Sequence, residues 1–319
     1  MAKISYTNTS LRYQAIKREY ESYQEAIFHY GIFFDGYYTE LLAEKLKELT
    51  GYQYCLPCVN GTAALYTLFD YYSKWFTKAI VTPLTFRATH NALKRARIDF
   101  LYCPVDKYLL GVINASSDLL CVPVGLLGRQ PSYNPENVVI EDACQNWITS
   151  TTLVDKAISF DPTKNIASCG NGGAVLTNDK SVYQHAKRLI CHDSEVSGLN
   201  LRMSELEAAY VLAQLPYLQA WQERRLSIVK RYLEAYPNEL YENTSLENHD
   251  LQKYAIILDD LPQDAPFSFK NLYPEEFRRL YFKKYLVGIP LYPELTENDI
   301  VTICDYLKQL KRPQYLHAA

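Results

Sequence analysis

The 319-residue sequence has no surplus of basic charge and no long hydrophobic run. Its 33 Lys and Arg residues stand against 36 Asp and Glu residues, and the formal net charge of −3 excludes a strongly basic nucleic-acid-binding protein. The longest apolar runs, such as residues 119–127, are too short to span a bilayer. The first residues also lack the apolar core of a signal peptide. We therefore expect a soluble, cytoplasmic protein.

Metal-binding motifs are scarce as well. The eight cysteines are scattered, and Cys55 and Cys58 form a C-x-x-C without a second such pair or a closely spaced pair of histidines. A redox-active pair is favoured at the start of a helix. No helix is predicted to begin at Cys55, because Pro57 continues an extended pattern. We predict cysteines that are reduced and mostly buried, and no metal site.

What the sequence does contain is an alternation of short apolar runs with amphipathic stretches. The first fifty residues predict two helices, at 11–30 and 37–49. Predicted strands follow at 53–59, 79–82, 98–103, 118–124, 137–140, 156–160 and 173–177, with helices between several of them, most clearly at 62–76 and 85–95. This rhythm is typical of an α/β fold with a mostly parallel sheet covered by helices on both faces.

Beyond residue 177 the pattern changes, and helices are predicted at 179–191, 203–214 and 216–235. The final hundred residues indicate a strand at 254–258, a loop at 259–266 and a helix at 296–310 that begins after Thr296. We predict a large domain over residues 1–215 and a smaller α+β domain over residues 216–319.

Polar residues follow several predicted strands, at the sheet edge where ligands bind in open parallel sheets. They are Asn60-Gly61-Thr62, Thr85-Phe86-Arg87, Glu141-Asp142-Ala143-Cys144-Gln145 and Ser159 through Lys164. Together they supply a helix N-terminus for a phosphate, an aromatic ring, a carboxylate and a lysine, which is the set that pyridoxal phosphate needs. Taken singly, the carboxylate also suits a metal or a ribose, and the lysine also suits a solvated surface.

Seven segments, in order, give the sequence a specific resemblance. They are residues 60–65 (NGTAAL), 85–92 (TFRATHNA), 123–128 (PVGLLG), 140–145 (IEDACQ), 159–173 (SFDPTKNIASCGNGG), 200–209 (NLRMSELEAA) and 289–296 (IPLYPELT). The chain resembles the DegT/StrS nucleotide-sugar aminotransferases, which are pyridoxal-phosphate enzymes of fold type I. The resemblance is strong over residues 31–235, weak over 236–285 and good again beyond.

The resemblance implies roles around the cofactor ring. Lys164 would be the Schiff-base lysine and the general base and acid of the proton shift. Asp142 would pair with the pyridine nitrogen, and Gln145 would lie against the phenolic oxygen; both also suit a helix N-cap, Gln145 less well. Phe86 would stack on the ring, although packing in the core is an alternative.

Other residues would hold the phosphate of the cofactor. The resemblance assigns this role to Gly61, Thr62 and Ser159. Asn200 matches the family residue that reaches the phosphate in the partner subunit, which implies a homodimer with shared active sites. The glycines at 170, 172 and 173 resemble a further phosphate-binding loop, but we interpret them as a tight turn between the loop of Lys164 and the next strand.

The sequence also departs from the family around the substrate. Gly125 and Asp161 replace commoner residues, and Arg87 is an unexpected cation that would meet an anion or solvent. Residues 259–287 are too short for the family's usual substrate-facing segment.

The resemblance implies an aminotransferase that moves an amino group from L-glutamate to a nucleotide-linked keto sugar. Two alternatives remain open: transfer to a small cyclic ketone such as an inosose, and a cofactor-binding homologue without transfer activity.

Overall fold

The computed structural model describes residues 3–134, 136–193, 197–241, 245–281 and 284–311. The helices are α1 Thr9–Tyr30, α2 Tyr37–Thr50, α3 Gly61–Tyr72, α4 Arg87–Arg95, α5 Lys180–Ile190, α6 Glu205–Leu212, α7 Leu218–Ala235, α8 Pro274–Leu280 and α9 Glu297–Gln309. The strands are β1 Tyr54–Cys58, β2 Lys78–Val81, β3 Asp99–Tyr102, β4 Leu120–Val122, β5 Ile140–Asp142, β6 Asp155–Ser159, β7 Gly173–Thr177, β8 Tyr254–Leu258, β9 Lys270–Leu272 and β10 Tyr285–Ile289.

The first seven strands form one sheet in the order β3-β2-β4-β5-β6-β7-β1. Strands β3, β2 and β4 pair in parallel, as do β5 and β6, and parallel bridges such as Val124 with Asp142 join β4 to β5. Strand β7 runs antiparallel to both of its neighbours, β6 and β1. The structure thereby confirms the predicted α/β fold with a mostly parallel sheet.

Helices cover both faces of this sheet, as the alternating pattern predicts. On one face, buried side chains of α3, α4 and α5 pack against the strands, among them Leu68, Leu93 and Val182. On the other face, Leu42 and Leu46 of α2 meet side chains of α6. With both faces covered, the polar residues that end the strands are left at the edge of the sheet.

The small sheet has the order β8-β10-β9, and both of its pairs are antiparallel. The strand at 254–258 and the capping box of Thr296 with Asp299 are confirmed. Strands β9 and β10 and helix α8 have no counterpart in the prediction. Strand β9 has only three residues, which is too short for an apolar pattern to be detected.

The boundary between residues 215 and 216 stays a prediction. Helix α7 packs against both predicted domains. Its residue Trp221 contacts the clusters around α2 and α6, whereas Ile228 and Val229 belong to the core under the small sheet.

Cys55 and Cys58 lie within strand β1, and both are buried. Burial raises the pKa of the Cys58 thiol to about 12, so that thiol is not a ready nucleophile. Among the described residues there is no cluster of His, Cys, Asp and Glu suited to a metal ion. The same part of the chain has no helix with the length and apolar character required to cross a membrane.

Candidate active site

A cavity of about 810 Å³ lies at the carboxyl ends of the parallel strands, between the large sheet and the small one. It is lined by the predicted residues Gly61, Thr62, Phe86, Asp142, Gln145, Ser159 and Lys164. They come from four separate segments of the chain and meet because parallel strands end at the same edge.

One end of the cavity is formed by the N-terminus of helix α3. The Asn60 side chain caps this helix by accepting a hydrogen bond from the Ala63 amide at 2.8 Å. Helix geometry leaves the amides of Gly61 and Thr62 without partners inside the helix, and the helix dipole favours an anion there. A side chain at Gly61 would come within 2.8 Å of Cys144 Sγ, which explains why this position is glycine. This end is suited to a phosphate.

Asp142 ends strand β5 and is only 5% exposed. The Thr89 hydroxyl donates to its Oδ2 at 2.6 Å, and the Cys144 amide donates to its Oδ1 at 3.2 Å. The residues that follow form a turn and not a helix, so the helix N-cap interpretation of Asp142 is wrong. A buried carboxylate held on both oxygens is pre-oriented to meet one cation or proton donor in the cavity.

Gln145 connects the two sheets. Its Oε1 accepts a hydrogen bond from the Leu127 amide at 3.1 Å, and its Nε2 donates to the Tyr273 hydroxyl at 3.1 Å. Tyr273 has left-handed backbone angles directly before Pro274, which is a strained conformation for a tyrosine. In this conformation the Tyr273 side chain lies on the cavity wall, against Gln145, which is predicted to contact the cofactor.

Phe86 lies directly before helix α4, and 68% of its surface is exposed at the cavity. Packing in the core is therefore the wrong interpretation of this residue. Its neighbour Arg87 is also exposed and forms an ion pair of 3.3 Å with Glu275 of helix α8. The anion that Arg87 meets thus belongs to the chain itself.

We expect Phe86→Ala to weaken cofactor binding about tenfold, since a flat ring on a cavity wall contributes by stacking. The free energy of unfolding of the cofactor-free protein should change by less than about 0.5 kcal/mol, because little of the ring is buried. Fluorescence titration with pyridoxal phosphate and urea unfolding measure the two effects. Phe267→Ala is the matched control: its ring is fully buried, so it should cost about 3–5 kcal/mol of stability. Unchanged cofactor affinity in Phe86→Ala would contradict the stacking role.

The loop from Ser159 to Lys164 is held from several directions. Asp161 Oδ1 accepts hydrogen bonds from the amide and the hydroxyl of Thr163, at 2.9 and 2.6 Å. The carbonyl of Lys164 accepts from the buried Arg12 guanidinium at 2.8 Å, and the carbonyl of Thr163 accepts from Gln252 at 3.1 Å. Burial would raise the pKa of Asp161, but the hydrogen bonds from Thr163 and the charges of Lys164 and Lys253 outweigh it, so that pKa is lowered. The loop backbone is fixed, while the Lys164 side chain lines the cavity.

Asn200 is not among the residues that line this cavity. It is exposed, and its Oδ1 accepts a hydrogen bond from Arg202 at 3.4 Å. Arg202 in turn pairs with Asp35 at 2.6 Å and lies over the ring of Phe34. The predicted role of Asn200 toward the cofactor of a partner subunit therefore stays a prediction.

Sequence reasoning missed the wall contributed by the small sheet. Lys253 and residues 270–274, together with Glu276, line the cavity. Strand β9 and the start of α8 therefore lie against the site, and the prediction that residues 259–287 lack the family's usual substrate-facing segment stays a prediction. A signal was present: Pro274 followed by Glu275 and Glu276 is a typical helix start.

Gly125 is also explained by the structure. A side chain there would overlap the amide of Asn146, which is fully buried and donates to Glu141 at 2.7 Å. The turn at 170–173 is tight for a similar reason, because a side chain at Gly173 would come within 2.6 Å of the Gly61 nitrogen. Asn171 and Gly172 of this turn line the cavity.

The residues fit pyridoxal phosphate by their chemistry. The start of α3 with Ser159 offers phosphate donors, Phe86 offers a ring surface, Asp142 offers a buried carboxylate and Lys164 offers an amine. A single mostly parallel sheet with this donor set at its carboxyl edge defines the chain as a pyridoxal-phosphate-dependent enzyme of the aminotransferase fold.

Comparison with known proteins agrees with this class. The family model of the DegT/DnrJ/EryC1/StrS aminotransferase family matches residues 14–114 and 137–265, and the chain belongs to this family. The structure superposes on a DegT DnrJ EryC1 StrS aminotransferase from Brucella abortus with a TM-score of 0.84 and 20% identity, covering 97% of this chain and 98% of that one.

Two curated relatives are similar over about two thirds of the chain. A "Pleiotropic regulatory protein" of Geobacillus stearothermophilus is 25% identical over 68% of this chain and 66% of its own length. The UDP-2-acetamido-2-deoxy-3-oxo-D-glucuronate aminotransferase of Pseudomonas aeruginosa is 24% identical over 68% of each chain. The family resemblance noted from the sequence is thereby confirmed.

Proposed function

We propose that this chain transfers an amino group from L-glutamate to a nucleotide-linked keto sugar and so produces an amino sugar. The observation that carries the proposal is the convergence of Lys164, Asp142 and Phe86 on one cavity whose far end is a helix N-terminus. Each of these groups serves a step that amino transfer needs, and together they suit a cofactor that both half-reactions share.

Pyridoxal phosphate, when bound, supplies an electrophilic carbon for the amino group and a ring that accepts the electrons of a broken C–H bond. Lys164 would move the proton between the substrate carbon and the cofactor carbon that carries the amino group, because its amine lines the same cavity as Asp142 and Phe86 and an amine can both accept and return a proton. Asp142 would keep a proton on the ring nitrogen, since Thr89 and Cys144 hold both carboxylate oxygens in place. Gly61, Thr62 and Ser159 would bind the phosphate, and Gln145 would contact the phenolic oxygen.

The acceptor class rests on the family and on the Pseudomonas aeruginosa relative, whose name specifies a UDP-linked oxo sugar. The amino donor rests on the family resemblance. A cavity of about 810 Å³ is large enough for a cofactor together with a sugar. The cytoplasmic location is proposed with the activity, because nucleotide sugars are made and used there.

We also propose a homodimer with shared active sites. Asn200 is exposed and accepts a hydrogen bond from Arg202, which lies over Phe34 in a segment rich in exposed aromatic residues, and such a surface supports a buried position in an assembly. These aromatic residues are Phe28, Tyr30, Phe33, Phe34 and Tyr37.

The experiment is to record the visible spectrum of the purified holoenzyme before and after the addition of L-glutamate. We expect the yellow form to bleach and 2-oxoglutarate to appear in equal amount. UDP- and dTDP-linked 3-keto and 4-keto sugars, and separately an inosose, are then added to the aminated enzyme. Return of the yellow form with a nucleotide sugar supports the proposal, whereas return with the inosose alone favours a small cyclic ketone. A bound cofactor that responds to no amino donor would indicate a homologue without transfer activity.

A further inference from the structure

Two lysines of the small sheet converge on the cavity. Lys253 directly precedes strand β8, and Lys270 begins strand β9. Gly288 of the central strand β10 pairs with Ala255 on one side and with Lys270 on the other, so the two lysines lie at the same end of the sheet. The two outer strands are about 10 Å apart across β10, and two extended lysine side chains can bridge that distance to a common ligand.

These two cations have no anionic partner in the described part of the chain. Neither lysine forms an ion pair or donates a hydrogen bond there, and Lys270 lies over the ring of Tyr6 at 5.1 Å. Both nevertheless line the cavity that contains Lys164. Lys253 is half-buried and Lys270 is exposed at the cavity, and the grouping of their positive charges with that of Lys164 favours a ligand that brings negative charge.

The electrostatics of Lys253 agree with this geometry. Burial, together with the charges of Lys164 and Lys270, lowers the pKa of Lys253 to about 7, against the opposing charge of Asp161. Asp161 is engaged by both donors of Thr163 and does not contact Lys253. A bound oxyanion would restore the charged form of Lys253 near neutral pH.

We propose that Lys253 and Lys270 bind an oxyanion of the substrate, either a carboxylate or a phosphate, beside the reacting carbon. The proposal rests on the proposed function and names the property that an acceptable substrate needs. Two sources share this chemistry: the carboxylates of the amino donor, and an acidic or phosphate group of the keto-sugar acceptor. The phosphate of the cofactor would have its own donors at the start of helix α3 and at Ser159.

The test uses the holoenzyme, in which the phosphate site at α3 is already filled. Calorimetric titrations with 2-oxoglutarate, D-glucuronate and UDP are made on the wild type, Lys253→Gln, Lys270→Gln and Lys253→Arg. Lys308→Gln is the matched control, because Lys308 belongs to the same part of the chain but pairs with Asp305 on the surface. We expect both glutamine variants to bind one class of probe at least about tenfold more weakly, and Lys253→Arg and Lys308→Gln to retain binding.

The pattern of loss identifies the source. A loss confined to 2-oxoglutarate assigns the lysines to the amino donor, and a loss confined to D-glucuronate or UDP assigns them to the acceptor. Equal affinity of wild type and glutamine variants for all three probes, or no binding of any probe by the wild type, would overturn the proposal. So would weaker cofactor binding with unchanged probe affinity, since the lysines would then serve the cofactor phosphate. If the probes bind as expected but L-glutamate leaves the spectrum unchanged, the proposed function fails and the anion site remains.

Discussion

Replacing Lys164 by alanine is expected to lower the rate of amino transfer by at least about 10³-fold. Its loop is fixed by Arg12, Gln252 and Asp161, so the amine is held in a defined place in the cavity. The measurement is the single-turnover rate with L-glutamate, together with the visible spectrum of the variant with added pyridoxal phosphate. We expect the yellow form of the wild type to be lost.

The control separates the loss of an amine from a general disturbance. Lys308→Ala removes an exposed amine that pairs with Asp305 and should leave the rate and the spectrum unchanged. A small primary amine added to Lys164→Ala should restore part of the rate, because a free amine can enter the cavity and carry the proton in place of the missing side chain. A variant that keeps the wild-type rate would remove Lys164 from the mechanism, and with it the proposed function.

Much of the large domain could be predicted from the sequence because its signals are local. Most strands of the large sheet fall in short apolar runs, and the flanking helices have their own periodicity, as in α1, where Ile16, Tyr20 and Ile27 are buried. The small sheet was harder, since β9 has three residues and only Leu272 of them is buried. The pairing of β9 with β10, such as Lys270 with Gly288, depends on tertiary contacts and leaves no pattern within β9 itself.

The site divides in the same way. Asp142 and Ser159 could be placed because each ends a recognisable strand, and the ends of parallel strands meet. The sequence did not place three other residues at the site: Arg12, Lys253 and Lys270. Their positions depend on how helix α1 and the small sheet pack against the loop of residues 159–164. The contact from Arg12 to the carbonyl of Lys164 joins residues 152 positions apart, and such a contact has no signature in the sequence.

Asp142→Asn is expected to slow amino transfer about 10²–10³-fold while leaving the site in place. An asparagine can keep both existing hydrogen bonds, with its carbonyl accepting from the Cys144 amide and its amide donating to the Thr89 hydroxyl. What the substitution removes is the negative charge that would hold a proton on the ring nitrogen of the cofactor. The rate of each half-reaction and the dissociation constant of pyridoxal phosphate are to be measured on the same preparation.

Asp161→Asn provides the matched control, because it also removes one carboxylate from this cavity. The Asp161 carboxylate accepts two hydrogen bonds from Thr163 and is therefore already engaged within the chain. If the charge of Asp142 acts on the ring nitrogen, the two variants differ: Asp142→Asn loses rate in both half-reactions, and Asp161→Asn loses much less. Equal losses would mean that the cavity needs negative charge in general, and the specific role of Asp142 would be wrong. A loss of cofactor affinity without a loss of rate at saturating cofactor would instead make Asp142 a binding residue, since a group that controls ring protonation must change the chemical step.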